Sequence, residues 1–92
     1  MVVIIVYVVI VYDVNIKNVN KVRVFLKQYL NWVQNSVFEG ELTEAEYASI
    51  TTRLNRLIDK STDHVLFYKS RDRRYLTIDE IGTPKNEISN FL

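Results

Sequence analysis

The first residue in this chain placed to do chemistry is a carboxylate at the end of a long apolar run. Val2 to Tyr12 are eleven apolar residues in succession, and Asp13 is the first charge. An acid at the C-terminal end of a buried strand is a common position for metal-assisted chemistry, and a strand-ending Asp also serves simply to start a turn. Mg²⁺ prefers oxygen ligands in octahedral geometry and takes one or two carboxylates, with water and substrate phosphate filling the rest. One Asp per chain holds such an ion weakly.

Cations are the second resource. Lys69-Ser70-Arg71-Asp72-Arg73-Arg74 holds four cations against one acid, between Tyr68 and Tyr75. Dense and flanked by aromatics, this segment makes Arg71, Arg73 and Arg74 candidate phosphate contacts in a loop. Lys21 and Arg23 add candidates on the first helix. Net charge is only +1 and the centre is acidic, with Glu39, Glu41, Glu44 and Glu46. A nearly neutral chain with one basic segment points to local phosphate contact rather than a wrapped polyanion. His64 is the only histidine and has no Cys or second His beside it, which argues against a metal or general-base role. Trp32 and Tyr12 read as packing residues. Glycine-rich phosphate loops, a Gly-x-Ser-x-Gly element and an acid cluster for two-metal chemistry are all missing from the sequence.

These residues need elements to position them. At 92 residues with 48% hydrophobic content, the chain is sized for one packed domain, since independent cores rarely split below about 150 residues. Without cysteine there is neither a disulfide framework nor a thiolate metal site, which fits a reducing cytoplasm. The apolar opening is short of the roughly 20 residues that span a bilayer. It also lacks the basic start and small-residue cleavage site of a signal peptide. No membrane association is expected.

Val and Ile dominate residues 2–12, and stiff β-branched side chains suit a pleated surface, so a buried strand is expected there. Residues 14–18 turn and cap. Val19, Val22, Leu26 and Leu30 then recur at spacings of three and four, which predicts a helix over about 18–30. Residues 33–42 return to strand character as one bent strand or two short ones, with Gly40 suggesting a bulge or bend. Thr43-Glu44-Ala45-Glu46 is a capping box that opens a helix to about Lys60, closed by Ser61-Thr62-Asp63. His64 to Tyr68 is a short strand, the basic segment a loop, and Tyr75 to Ile78 with Ile81 a further strand. One domain over 1–82 with a polar tail over 83–92 follows. The order predicts an α+β, ferredoxin-like βαββαβ antiparallel sheet with two helices on one face and an extra C-terminal strand. That last strand leaves an exposed edge, and pairing with a second copy would cover it, so a homodimer is expected.

Three segments together resemble one family, the small CRISPR-associated (Cas) protein two, described as an endoribonuclease and spacer-acquisition subunit. They are Val11-Tyr12-Asp13-Val14, the helix around Asn20-Lys21-Val22-Arg23-Val24-Phe25-Leu26, and Gln34-Asn35-Ser36-Val37-Phe38-Glu39-Gly40-Glu41-Leu42. The family pattern is an aromatic-Asp pair after strand one, then Q-x-S-V-F-x-G-x-L. Val65-Leu66-Phe67-Tyr68 and Ile81-Gly82 also agree. The chain departs from it in its longer, nearly duplicated apolar opening, which lengthens the strand or reflects an upstream translation start. It departs again at Trp32, where some relatives carry a basic residue.

The resemblance implies a dimer whose two Asp13 side chains share a Mg²⁺ ion and hydrolyse phosphodiester bonds in RNA or DNA. Ser36 and Phe38 lie within the specific motif; their functional reading is phosphate contact by the hydroxyl and stacking or positioning by the ring, with strand packing near the dimer seam as the other reading. The resemblance also implies as partners RNA, duplex DNA and the CRISPR integrase. Three roles remain open from sequence: a metal-dependent nuclease, a non-catalytic scaffold bridging copies of the integrase, and a toxin-type RNA-cleaving relative.

Overall fold

The structure, a computed structural model, describes residues 3–72. Its elements run β1 (Ile5–Asp13), α1 (Ile16–Leu26), β2 (Asn31–Gln34), β3 (Val37–Thr43), α2 (Glu44–Leu57) and β4 (His64–Ser70). The four strands form one sheet in the order β2-β3-β1-β4, every neighbouring pair antiparallel. Because β3 lies between β1 and β2, those two strands run parallel with a helix between them in sequence. This is the split βαβ, ferredoxin-like arrangement that the element order predicts.

The strand alternation of β1 assigns its two faces. Val6, Val8, Ile10 and Tyr12 are buried and meet Val22, Phe25 and Leu26 of α1, Ile50 and Leu54 of α2, and Phe38 and Leu42 of β3. The other parity, Ile5, Tyr7, Val9, Val11 and Asp13, lies on the face turned away from both helices. There Tyr7 donates its hydroxyl proton to Glu39 Oε1 at 2.6 Å, and both residues are buried. Glu39 is thus a paired interior acid rather than part of an acidic surface.

Both helices start where local chemistry directs. Asn15 caps α1 by accepting from the Lys17 amide, two residues ahead of the expected start. Thr43 and Glu46 form the reciprocal capping box of α2, at 2.8 and 3.0 Å. The first helix ends at Leu26 rather than Leu30; a turn carries Leu30 into the core before β2 begins. Residues 33–42 resolve into two strands joined by Asn35 and Ser36, with Asn35 left-handed at φ 41°, a conformation Asn tolerates better than most residues. The β-bulge falls in β2, where the register slips between Trp32 and Gln34, and not at Gly40, which pairs with Val8 in unbroken register. Gly40 answers instead to a close approach: a Cβ there would stand 2.9 Å from Leu30 Cδ2.

The basic segment is a loop only in part. Lys69 and Ser70 belong to β4, and Lys69 reaches α2, with Nζ 3.5 Å from Glu44 Oε1 and 4.4 Å from the Tyr47 ring centroid. Arg71 is exposed just beyond the strand. Arg73, Arg74, the expected C-terminal strand over Tyr75–Ile81 and the 83–92 tail lie outside the described residues.

Candidate metal and nucleic-acid site

One corner of the sheet gathers the C-terminal end of β1, the β2–β3 turn and the start of β4. Asp13 ends β1 directly opposite His64, and both are exposed. Residues directly opposite in an antiparallel pair project to the same face, so the carboxylate and the imidazole share the face away from the helices. Ser36 lies beside them, its carbonyl accepting the Tyr12 amide at 3.0 Å. Tyr12 itself points into the core and is 3% exposed. Burial pushes its phenol above the ordinary tyrosine range, against the opposing pull of Arg23.

A carboxylate knot holds this corner. Asp63 Oδ1 accepts from the Asn15 amide at 2.8 Å and from Asn15 Nδ2 at 3.0 Å. Its Oδ2 accepts from Asn18 Nδ2 and from the Asp59 amide, each at 2.9 Å. The Thr62 hydroxyl is a further donor at 3.2 Å. Burial opposes ionisation of Asp63, but these donors outweigh it and hold the carboxyl down to about 2. The knot fixes the residue before His64 to the turn that follows Asp13. In the sequence Asp63 reads only as a helix terminator; the Asn15 and Asn18 pair that receives it is the signal that was there to find.

On α1, which packs on the other face of the sheet from the Asp13 side chain, Arg23 is half-buried and Lys21 is exposed. The Arg23 guanidinium accompanies Lys27 against one indole: each cation lies 5.2 Å from the Trp32 ring centroid. Trp32 in turn stacks on Phe38 at 6.4 Å, and Phe38 stacks on Tyr12 at 6.1 Å. Phe38 has no exposed surface. Its ring packs between two aromatics in the core, which agrees with the packing reading of this residue. Trp32 both packs and orders two basic side chains, a role that sequence reasoning missed.

The structure does not bring Arg71 to this corner. Tyr7 pairs with Ser70 while Asp13 pairs with His64, and that span of β1 is about 20 Å at roughly 3.4 Å per residue. Within one protomer the basic segment therefore starts at the opposite end of the sheet from Asp13.

The donor set fits a hydrated divalent ion. Mg²⁺ keeps several waters and needs only one or two carboxylates, which an exposed Asp13 provides. Among the described residues no group of three or more metal-ligating side chains exists, so one protomer offers no dehydrated cage. No helix of the described residues is long and apolar enough to cross a membrane.

Fold and corner together define a small ferredoxin-like α+β protein whose candidate centre is an exposed strand-end carboxylate. The profile of the family described as CRISPR associated protein Cas2 matches residues 6–78. The chain belongs to the Cas2 family. It is 63% identical to the CRISPR-associated endoribonuclease Cas2 of Methanosarcina acetivorans, over 94% of this chain and 99% of that one. Identity to the protein of the same name from Pyrococcus furiosus is 46% over the same shares. Among solved structures, one described as a crystal structure of cas2 superposes with TM-score 0.81 at 42% identity, covering 88% of this chain and 91% of the other. Streptococcus pyogenes Cas2 at pH 6.5 gives TM-score 0.72 at 34% identity, covering 83% and 99%.

Proposed function

We propose that the chain is a CRISPR adaptation protein: a homodimeric, nucleic-acid-binding subunit of the spacer integration complex that also hydrolyses phosphodiester bonds with a divalent metal, Mg²⁺ by expectation, at Asp13. The observation that carries the metal reading is the exposed Asp13 carboxylate on the helix-free face, within the matched residues. The name endoribonuclease borne by the Methanosarcina and Pyrococcus relatives supports the reaction class.

Dimerisation is supported by that same face. Leu66 and Tyr68 of β4 are 43% and 52% exposed there, next to half-buried Val9 and Val11. Covering them removes apolar surface from water. Two protomers joined through this face would bring two Asp13 carboxylates toward one ion. Held by Asp13, a divalent cation would supply Lewis-acid polarisation of a phosphate oxygen and would lower the pKa of a water. Asp13 holds and orients; Lys21 and Arg23 neutralise flanking phosphates, and the Ser36 hydroxyl contacts one.

A second reading, a non-catalytic scaffold that bridges integrase copies along duplex DNA, is favoured by one observation. Arg71 sits about 20 Å along the sheet from Asp13, as the β1–β4 register requires. Cations spread along a sheet suit a backbone track better than a compact active site.

The test is Asp13→Asn, which keeps size and removes charge. Rigorously purified protein is expected to lose metal-dependent cleavage; cleavage that persists would remove the nuclease assignment from this site. Spacer acquisition that survives the change with the integrase present would leave scaffolding as the biological role.

A further inference from the structure

We propose that His64 is a second protein ligand beside Asp13, so that each protomer presents a one-oxygen, one-nitrogen chelate that selects Zn²⁺ and other imidazole-preferring transition ions over Mg²⁺. The inference rests on the reading of Asp13 as a cation ligand.

Three observations carry it. Asp13 and His64 are direct partners in the β1–β4 register, and such partners have Cβ atoms about 4.5–5.5 Å apart on one face. An ion lying about 2.0–2.2 Å from a carboxylate oxygen and an imidazole nitrogen bridges that gap. Both side chains are exposed, and among the described residues neither has a hydrogen-bond or ion-pair partner. The protein has set an acid and its only imidazole side by side and used neither internally. Finally, the site is held from both flanks: Asp63, the residue before His64, binds the amide and side chain of Asn15, two residues after Asp13. Ligands fixed by a buried hydrogen-bond knot lose little freedom when an ion arrives.

The selectivity follows from donor chemistry. Carboxylate and water suit Mg²⁺ and Mn²⁺, whereas imidazole suits Zn²⁺, Cu²⁺, Fe²⁺ and Ni²⁺, and affinity for mixed N/O sites rises from Mn²⁺ towards Cu²⁺. A nitrogen ligand therefore strengthens transition-ion binding while leaving Mg²⁺ almost unmoved.

The experiment uses the full chain labelled with ¹⁵N. Zn²⁺ is titrated while the two ring nitrogens of His64 and the Asp13 resonances are followed, and Zn²⁺ and Mg²⁺ affinities are measured by calorimetry for wild type, His64→Gln and Asp13→Asn. Expected are a Zn²⁺-induced shift at one ring nitrogen that Asp13→Asn abolishes, and a loss of at least about tenfold in Zn²⁺ affinity in His64→Gln, with Mg²⁺ affinity changed less than twofold. A Zn²⁺ shift at His64 that persists in Asp13→Asn would mean a lone surface histidine and overturn the shared site. Movement at Asp13 with His64 silent would overturn this proposal and leave the Asp13 site standing. If neither residue responds, both fall.

Discussion

Asn18 Nδ2 donates to Asp63 Oδ2 at 2.9 Å across 45 residues of sequence. This bond ties the first turn of α1 to the loop that enters β4. With its companions it makes Asp63 an interior anion held by amide N–H groups and a hydroxyl rather than by a cation.

The folded pKa of Asp63, about 2, lies below the roughly 3.9 of an unfolded aspartate. The unfolded state therefore binds the proton first, and the stability that Asp63 contributes is complete above the unfolded value and lost as pH falls through the folded one. Asp63→Asn presents an amide donor to groups that are themselves donors. The variant should be less stable than wild type at neutral pH, with the gap closing between about pH 4 and pH 2. Denaturant midpoints measured across that range check it; a gap independent of pH would show that ionisation of Asp63 is not what stabilises the knot.

Phe38, with no exposed surface and rings of Tyr12 and Trp32 stacked on it, is predicted to act through packing. Phe38→Ala should cost about 3–5 kcal/mol of folding stability, read by denaturation at fixed protein concentration. Phe38→Leu should cost less and keep nucleic-acid affinity per folded molecule. A Leu variant that folds as wild type yet loses binding would return the ring to a contact role.

Thr43→Ala removes the hydroxyl that accepts from the Glu46 amide at 3.0 Å and should destabilise by about 1 kcal/mol. Glu46→Ala removes the reciprocal bond to the Thr43 amide. Because the two bonds form one box, a double-mutant cycle should give a combined loss smaller than the sum. Full additivity would argue that the two bonds act independently.

Arg71 and Arg23 stand apart, the first beyond the Ser70 that pairs with Tyr7, the second on α1 against the Trp32 ring. On a duplex long enough to cover both, Arg71→Ala and Arg23→Ala should add in their effects on affinity. Changing Arg71, Arg73 and Arg74 together should flatten the dependence of binding on salt, by up to about 0.9 in log–log slope for each phosphate no longer neutralised. An unchanged slope would take that segment out of the interface.

Much of the fold is legible locally. The β-branched run specifies β1, the three-and-four spacing specifies α1, and Thr43-Glu44-Ala45-Glu46 marks where α2 begins. Boundaries moved where tertiary packing outweighed periodicity. Leu30 continues the apolar stripe of α1, yet it reaches the core through a turn because Trp32 has to enter β2 opposite Phe38. Lys69 looks like a loop cation because charge dominates its neighbourhood; pairing with Val8 holds it in β4, where Glu44 meets it.

The sequence by itself determined that an acid, Asp13, ends a buried strand, that two amphipathic helices cover one face, and that the motif from Gln34 to Leu42 belongs to Cas2 proteins. It determined those things because strand and helix periods, caps and motifs are written in neighbouring residues. Only the tertiary structure decided that His64 faces Asp13, that Arg71 lies at the far end of the sheet, that Phe38 is enclosed, and that Asp63 closes a knot on Asn15 and Asn18. Each of those depends on register between segments distant in the chain, and a slip of one residue would turn every side chain of β4 to the other face.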